Sequence, residues 1–416
     1  MDSSHNFICD INKNPLFSIY KGTTFIKNIS NINFYCPKEK PVLCSINSNS
    51  FGLCKNTIND CDNLEGGVIP IIPNNNSING EKYGYVTNNL HVRCNELKLE
   101  YSEKFIGGKL PDNIKIITYN IWGLCIEQND KDFMNFKKEL IITRMKQVVK
   151  EIKKYQPDII CFQEMSDLSL SLLKSLYNDY PYRYETNFNQ ELIRKQRLHE
   201  VEVYVFSKYP AQQVKLYSIR GNLNYTDSFM IIEFKDVNIY NCYLQAGSKK
   251  SPGQENYWTH YSRCRKDQIL EIKKLILQDK KSVILVGDFN CHLDGGEYDW
   301  TEVKELTYFN DSFREINPYE SGYTEDTDIN LMRWNTKFIK KQVRYDGILY
   351  KGTNLNPLNS IVIGKTPIII SSELSNKFIN YIVSPDDKKL IKYYNNNFVL
   401  FPSDHFGVMT TFNIKH

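Results

Sequence analysis

Polar side chains that could do acid–base or metal chemistry stand at the ends of several short apolar runs in this sequence. In chain order, they are Asn120, Glu164, Tyr243, Asp288, Asn290, Asp346, Asp404 and His405. Strand ends are rigid supports for a site that opens onto loops. The pattern therefore predicts one site gathered from distant parts of the chain.

The residue types in this set narrow its chemistry. Carboxylates and amide oxygens suit a hard divalent cation such as Mg²⁺, and a histidine can transfer a proton. Soft ligands are almost absent, so the set does not fit a structural zinc site. No serine or cysteine sits in a strained elbow, which argues against a nucleophilic triad.

The segments that must position these residues form one continuous part of the chain, residues 111–416. Here apolar strands such as "SVILVGDFN" alternate with amphipathic helices such as "ELIITRMKQVVKEIKKY". The apolar stripe of that helix consists of Ile141, Met145, Val148, Ile152 and Tyr155. Several consecutive strands lack an intervening helix, which excludes a doubly wound parallel sheet. We therefore predict an α/β fold with two mixed sheets packed face to face and helices outside.

Residues 1–110 have a different texture. Short β-like runs such as "FSIYKGTTFI" are broken by Asn-, Ser- and Gly-rich turns, which predicts a small β-rich region of unknown role. Six of the 11 cysteines lie before residue 95, at irregular spacings. Free thiols are the simplest interpretation, and a zinc site or disulfides in this part remain alternatives.

The bulk composition is that of a soluble globular protein. The 416 residues are 41% hydrophobic, and 52 basic and 48 acidic residues leave a net charge of +4. This balance does not indicate nucleic-acid binding, so any basic surface must be local. The sequence begins without a signal pattern and contains no long apolar run, so we expect an intracellular protein without a membrane span.

Five short motifs follow one another in the second region: "ITYNIWGL", "PDIICFQE", "ILVGDFN", "RYDGILY" and "PSDHFGV". In this order they resemble the motifs of the endonuclease/exonuclease/phosphatase superfamily, which has the deoxyribonuclease I-like fold. Each motif alone is weak, but five in order at predicted strand ends are specific. The resemblance implies a four-layer α/β sandwich and metal-dependent hydrolysis of a phosphoester.

The resemblance assigns three residues to the metal. Glu164 matches the principal Mg²⁺ ligand, with Mn²⁺ as an alternative cation. Asp404 matches an acid that often lies near the metal. Asn120 matches a residue that supports both metal and phosphate.

Four further residues match the groups around the scissile bond. Asp288 matches the acid that orients or deprotonates the attacking water, and Asn290 the amide that holds a phosphate oxygen. His405 matches the histidine beside the phosphate, and Asp346 its orienting carboxylate. A nearby carboxylate can keep such a histidine cationic, so that it stabilises the charge of the transition state.

Tyr243 departs from the commonest family pattern, in which a histidine occupies this strand end. Apurinic-site endonucleases of the family also carry tyrosine there. A phenol can hydrogen-bond a phosphate, but it is not a cationic acid near neutral pH. Arg265 and Gln268 reproduce a family spacing on the following helix, and we expect packing or hydrogen-bonding roles for them.

The motifs leave the substrate open between three branches of the family. Trp122 and Gly123 resemble neutral sphingomyelinases, whereas the closing motifs and "GYTEDTDINL" look more like 5′-tyrosyl-DNA phosphodiesterases. Glu325 replaces a tryptophan of the latter pattern. Tyr243 favours the apurinic endonucleases. An inactive binding protein with this fold is a further alternative, which the apparently complete acidic and amide set disfavours.

We predict a nucleic acid or a nucleic-acid adduct as the substrate. Lys249, Lys250 and Arg263, together with "RKQR" at 194–197, could form a basic rim for backbone phosphates. Tyr257 and Trp258 lie nearby for base stacking. No apolar hairpin or amphipathic anchor for a membrane surface is evident.

Overall fold

The computed structural model describes residues 97–123, 131–184, 202–220, 226–247, 255–295, 300–330, 332, 341–374, 376 and 400–416, together with six short strands before them. The chain divides into two compact units. The first comprises Met1–Arg93 with Glu255–His260, and the second comprises Cys94–Gln254 with Tyr261–His416.

The six short strands belong to the first unit. They are β1 (His5–Cys9), β2 (Pro15–Tyr20), β3 (Asn33–Phe34), β4 (Cys44–Ser45), β5 (Gly67–Ile69) and β6 (Val86–Leu90). The first four form one sheet in the order β2-β1-β3-β4, and β5 pairs with β6. These strands agree with the predicted β-rich N-terminal region.

The second unit contains two large mixed sheets. The six-stranded sheet runs in the order β10 (Tyr182–Tyr184), β11 (Glu202–Ser207), β9 (Ile159–Met165), β8 (Asn113–Asn120), β21 (Gly407–Ile414) and β20 (Leu355–Ile363). The seven-stranded sheet runs in the order β16 (Asn310–Asp311), β19 (Asp346–Lys351), β15 (Ser282–Asp288), β14 (Val237–Tyr243), β13 (Thr226–Glu233), β12 (Gln213–Arg220) and β7 (Leu97–Lys104). A short pair, β17 (Glu325–Asp326) and β18 (Gln342–Val343), stands apart.

The described helices are α1 (Lys131–Tyr155), α2 (Asp167–Leu172), α3 (Glu255–Gln278), α4 (Trp300–Leu306) and α5 (Ser312–Ile316), with a 3₁₀ turn at Lys174–Leu176. None of these helices is long and apolar enough to cross a membrane, a finding that covers the described residues. The strand β7 lies before the predicted domain boundary at residue 110 and pairs with β12. The boundary itself stays a prediction.

Three apolar layers hold the second unit together. The central layer joins the inner faces of the two sheets, with residues such as Ile116, Ile159, Ile239 and Ile284. A second layer packs the predicted stripe of α1 onto the outer face of the six-stranded sheet. The third packs Ile269, Ile272 and Ile276 of α3 onto the outer face of the seven-stranded sheet. The predicted α/β sandwich of two mixed sheets between helical layers is confirmed.

Four described cysteines bear on the predicted thiols. Cys161, Cys242, Cys264 and Cys291 are buried and form no disulfide. Burial raises the pKa of the Cys161 and Cys242 thiols well above the ordinary value, so neither is a ready nucleophile. The cysteines before residue 95 lie outside the described side chains.

Candidate active site

The seven-stranded sheet carries three site residues on one rung. In the parallel pair β14 and β15, Tyr243 stands beside Asp288, and in the antiparallel pair β15 and β19, Asp288 faces Asp346. The strands alternate regularly, so Asp288 shares its inward face with Ile284 and Val286 of the central layer. Regular strand pairing alone therefore brings these three side chains together.

The six-stranded sheet contributes Asn120 and Glu164, from the ends of the parallel strands β8 and β9. Asn120 follows Ile114 and Ile116 on the inner face by simple alternation. Glu164 does not, because Ile160 and Phe162 at the same parity point to the helical layer. A bulge turns the Glu164 side chain to the inner face. The pairing of β9 with β11 shifts between Tyr204 and Glu202, and the backbone of Glu164 is left-handed, with φ of 53°.

Hydrogen bonds tie Glu164 to residues of both sheets. Its Oε1 accepts one bond from Asn120 Nδ2 at 3.0 Å and one from the Tyr243 hydroxyl at 2.9 Å. The Asn120 amide also donates to Asp288 Oδ2 at 2.9 Å, and its Oδ1 accepts the Trp122 N–H at 3.0 Å. The Trp122 bond fixes which end of the Asn120 amide points into the site. The Tyr243 proton is thus directed at Glu164, which differs from the phosphate contact considered from the sequence.

His405 and Asp346 form a buried pair at the neighbouring edge. Nδ1 of His405 lies 2.8 Å from Asp346 Oδ2 and 3.9 Å from Asp288 Oδ2. Burial lowers the pKa of His405, but the carboxylates of Asp346, Asp288 and Asp404 outweigh burial and raise this pKa to about 10. These carboxylates therefore favour the cationic form of the His405 ring.

Potential ligand atoms of Asp288, Asp346 and His405 lie within 4.8 Å of one another. Nδ1 of His405 is hydrogen-bonded to Asp346 at 2.8 Å. The cluster thus offers both an acid–base group and a set of possible cation ligands.

Asp288 is held at both carboxylate oxygens. Oδ1 accepts the backbone N–H of Asn290 at 2.8 Å, while Oδ2 accepts from Asn120. Burial and the neighbouring Asp346 raise the pKa of Asp288 to about 6. A carboxylate with this pKa can both orient a water molecule and take its proton near neutral pH.

Asn290 has a left-handed backbone with φ of 51°, and its Nδ2 donates to the carbonyl of Leu244 at 2.9 Å. The side chain thus fastens the loop after β15 to the end of β14. Its predicted role at a phosphate oxygen stays a prediction.

The carboxylates of Glu164 and Asp404 fit a divalent cation. Both residues are buried, with 8% and 3% of their surface exposed. Burial first, and then the negative charge of Asp404, raise the pKa of Glu164. Two buried carboxylates that repel each other call for a positive charge between them. Because Oε1 of Glu164 already accepts two hydrogen bonds, Oε2 is the oxygen that would face the cation.

Two supporting residues were not recognised from the sequence. Thr324 Oγ1 accepts the backbone N–H groups of Tyr345 and Asp346 at 2.9 and 3.0 Å, and its carbonyl accepts the N–H of Phe406 at 2.6 Å. One threonine therefore fixes the backbone on both sides of the His405–Asp346 pair. Its place in "GYTED" was the only available signal, and that motif was used for family comparison alone.

Arg144 is the second such residue. It projects from α1 and donates to the carbonyls of Ile121, Trp122 and Pro402 at 3.1, 2.8 and 3.4 Å. These carbonyls belong to the loops that follow Asn120 and precede Asp404. An arginine beside the apolar stripe of a helix could have pointed to such a buried role.

The predicted basic rim falls largely outside the described residues. Lys249, Lys250 and residues 194–197 are not described, nor are the side chains of Tyr257 and Trp258. Arg263 is described and half-buried on α3. Its role at the substrate stays a prediction.

Arg265 and Gln268 form hydrogen bonds of the kind expected from the sequence. Arg265 is buried, forms an ion pair with Glu302 at 3.1 Å and donates to the Gln245 carbonyl, while Gln268 accepts the Gln245 N–H. His292 lies in the loop after β15, where its Nδ1 is 3.4 Å from the backbone nitrogen of Asp294.

This constellation on two packed sheets defines a phosphoric ester hydrolase. The sequence profile described as Endonuclease/Exonuclease/phosphatase family matches residues 117–405, more than half of the chain. The chain therefore belongs to this family, as its motifs predicted.

Several solved structures are similar to the chain. TDP2 from Caenorhabditis elegans has 19% identity over 72% of this chain and 75% of that chain, with a TM-score of 0.47. Beta toxin from Staphylococcus aureus has 16% identity over 71% of this chain and 99% of that chain, with a TM-score of 0.49. A mannosyl-6-phosphatase from Bacteroides thetaiotaomicron has 13% identity over 72% of this chain and 99% of that chain, with a TM-score of 0.47. A search of curated proteins finds no match.

Proposed function

We propose that the protein is a Mg²⁺-dependent phosphodiesterase that cleaves DNA or a DNA adduct by in-line attack of water. The observation that carries this proposal is one buried cluster, in which His405 Nδ1 lies 2.8 Å from Asp346 and 3.9 Å from Asp288, and the Asn120 amide bonds both Asp288 and Glu164. A phosphodiester is anionic, so hydrolysis needs positive charge at the phosphate and a directed water.

Asp288 directs and deprotonates the water in this mechanism. Hydrogen bonds from Asn290 and Asn120 hold both of its oxygens, so its orientation is set before substrate binds. The water oxygen attacks phosphorus while its proton passes to Asp288. The bond between phosphorus and the leaving ester oxygen breaks on the opposite side.

His405 stabilises the charge that builds up on the phosphate. Its Nδ1–H is directed to Asp346, so Nε2–H would be the donor to a phosphate oxygen. Asp346 keeps the ring oriented and cationic. The family mechanism needs no covalent enzyme intermediate, and no residue near Asp288 is required as a nucleophile.

Glu164 and Asp404 would hold the cation, with Mn²⁺ as an alternative to Mg²⁺. When bound, such a cation neutralises charge on a phosphate oxygen. Tyr243 and Asn120 orient the Glu164 carboxylate through Oε1.

The preference for DNA rests on local basic residues in the sequence, Lys249, Lys250 and Arg263. Such residues neutralise backbone phosphates, which dominate nucleic-acid affinity. A lipid phosphoester is the competing substrate, favoured by the Trp122-Gly123 pair. The guanidinium of Arg144 lies 5.0 Å from the Trp122 ring centre. This contact gives Trp122 a role inside the protein, which weakens it as evidence for lipid binding.

A substrate panel tests the proposal. Abasic duplex DNA, 5′-phosphotyrosyl DNA, sphingomyelin and a phosphoinositide are each incubated with Mg²⁺ or with EDTA. Cleavage of a DNA substrate that EDTA abolishes and that His405→Ala lacks is the expected result. Cleavage of lipid alone would overturn the DNA assignment, and cleavage that survives EDTA would overturn the metal requirement.

A further inference from the structure

The bulge at Glu164 leaves two carbonyls beside it that must find partners inside the protein. Phe162 faces Tyr204 across β9 and β11, and the next paired residues are Met165 and Glu202. Gln163 and Glu164 therefore stand opposite a single residue, Val203. Such a bulge disrupts the ladder locally, and buried carbonyls need other donors.

Asn241 supplies those donors from the facing sheet. Its Nδ2 donates to the carbonyl of Phe162 at 3.2 Å and to that of Tyr204 at 3.1 Å. Its Oδ1 accepts a bond from Gln163 Nε2 at 2.7 Å. Asn241 is completely buried. One of its three hydrogen bonds thus ends on the bulge itself, at Gln163, and the other two end on the adjacent pair of Phe162 and Tyr204.

The position of Asn241 on β14 explains why it reaches this point. It lies two residues before Tyr243 on the same inward face, so one strand sends two successive side chains to the bulge. Tyr243 bonds the Glu164 carboxylate, and Asn241 bonds the backbone that turns Glu164 inward. A left-handed residue other than glycine persists only where its surroundings hold it.

We propose that Asn241 is a positioning residue for the Glu164 carboxylate and thereby for the divalent cation. This inference rests on the proposed function, because it takes Glu164 to be a cation ligand. Without the Asn241 amide, the two carbonyls lose their donor and the bulge relaxes toward a regular strand. Regular alternation would then turn Glu164 toward the helical layer.

The test is the Mg²⁺ affinity of the full chain, measured by calorimetry without substrate. Asn241→Leu keeps the branched shape and the number of heavy atoms of the side chain but removes every polar atom. We expect it to weaken Mg²⁺ binding roughly 10–100-fold, the usual effect of losing a residue that orients a metal ligand. If leucine prevents folding, Asn241→Ala leaves space for water at the carbonyls and should weaken binding to a smaller extent.

Asn238→Leu is the matched control. Asn238 is buried on the same strand and donates to Asp279, away from the bulge. It should lower thermal stability while leaving the Mg²⁺ dissociation constant unchanged. Equal weakening of Mg²⁺ binding in both variants would mean that Asn241 acts only through general stability, and would overturn the inference.

Glu164→Gln separates this inference from the function on which it rests. If the unmodified protein and Glu164→Gln bind Mg²⁺ equally, the proposed cation site is wrong. If Glu164→Gln loses binding but Asn241→Leu retains it, the proposed function stands and the role of Asn241 is rejected.

Discussion

The two sheets contribute to the active site in different ways. On the seven-stranded sheet, Tyr243, Asp288 and Asp346 lie on regular strands whose pairing aligns them. On the six-stranded sheet, Glu164 reaches the site only through a bulge and a left-handed backbone. The groups proposed to act at the reacting bond thus lie on regular strands, whereas Glu164, the proposed cation ligand, lies at a bulge and is bonded by Tyr243 of the opposite sheet.

The largest expected effects are losses of turnover in variants of the residues proposed to act at the reacting bond. Asp288→Asn and His405→Ala should each lower turnover by about 10³-fold or more, because each removes a group that acts in the transition state. Steady-state kinetics on the best panel substrate measure this loss, and circular dichroism checks that the fold is kept.

Asp279→Asn is the control for Asp288→Asn. Asp279 is likewise an aspartate that accepts hydrogen bonds, here from Asn238 and the hydroxyl of Tyr240 on β14, but it lies before β15, at the end of that strand opposite to Asp288. It should keep near-normal turnover. Near-normal turnover in Asp288→Asn or His405→Ala would refute their assignment.

Mg²⁺ affinity should respond differently to substitutions on the two sheets. Glu164→Gln should weaken Mg²⁺ affinity by about 100-fold, since it removes one of two charged ligands. Asp288→Asn should leave that affinity within a few-fold while abolishing turnover. Calorimetry with Mg²⁺ measures both. If Asp288→Asn loses affinity as severely as Glu164→Gln, the cation lies nearer the seven-stranded sheet than we propose.

Thr324 offers a smaller effect on the His405–Asp346 pair. Thr324→Val keeps the shape but removes the acceptor for two backbone N–H groups, and should lower kcat by roughly 10-fold with little change in KM. Thr324→Ser retains the hydroxyl and should restore most of the rate. Equal rates in the valine and serine variants would exclude a role for this hydroxyl.

The smallest effect concerns an ionic cluster behind Asp346. Asp294 forms salt bridges with Arg314 at 2.5 Å and Arg344 at 2.7 Å. Burial alone would raise the pKa of Asp294, but the two arginines lower it below its ordinary value of 3.8. Asp294→Asn should cost about 1 kcal/mol of unfolding free energy at pH 7.

The pH dependence of that cost follows from the lowered pKa. The folded state binds the Asp294 proton more weakly than the unfolded state, so the stabilisation is complete above the ordinary pKa. It is lost as the pH falls through the lowered folded value. Urea unfolding from pH 7 downward should therefore show the two proteins converging in acid. If the difference in unfolding free energy between the two proteins stays the same at every pH, the effect arises from packing.

The same difference between the sheets explains what the sequence could predict. On β15, alternation from Ile284 through Val286 places Asp288 on the inner face. The family motif and the strand period therefore predict the same position for Asp288. For Glu164 the period alone would have given the wrong face, and only the family motif predicted its place in the site. Asn241 bonds the segment around the bulge from a strand that is distant in sequence, so no local pattern around Glu164 points to it.

Supporting contacts were less predictable still. Thr324 acts through hydrogen bonds to the backbone of Tyr345, Asp346 and Phe406, and such bonds leave no trace in residue spacing. Arg144 reaches three loop carbonyls that have no sequence signature. Long-range polar contacts of this kind become visible only when the strands are placed.

The position of β21 has a consequence for biosynthesis. This strand is made after the other strands that the structure describes, yet it lies inside its sheet, between β20 and β8, the strand that ends at Asn120. During synthesis, the edge of β8 that pairs with β21 therefore stays unpaired until residue 414 has been added. Hydrolytic activity should therefore arise only after synthesis of β21, and a nascent chain stalled before it would expose an open sheet edge for chaperones to recognise.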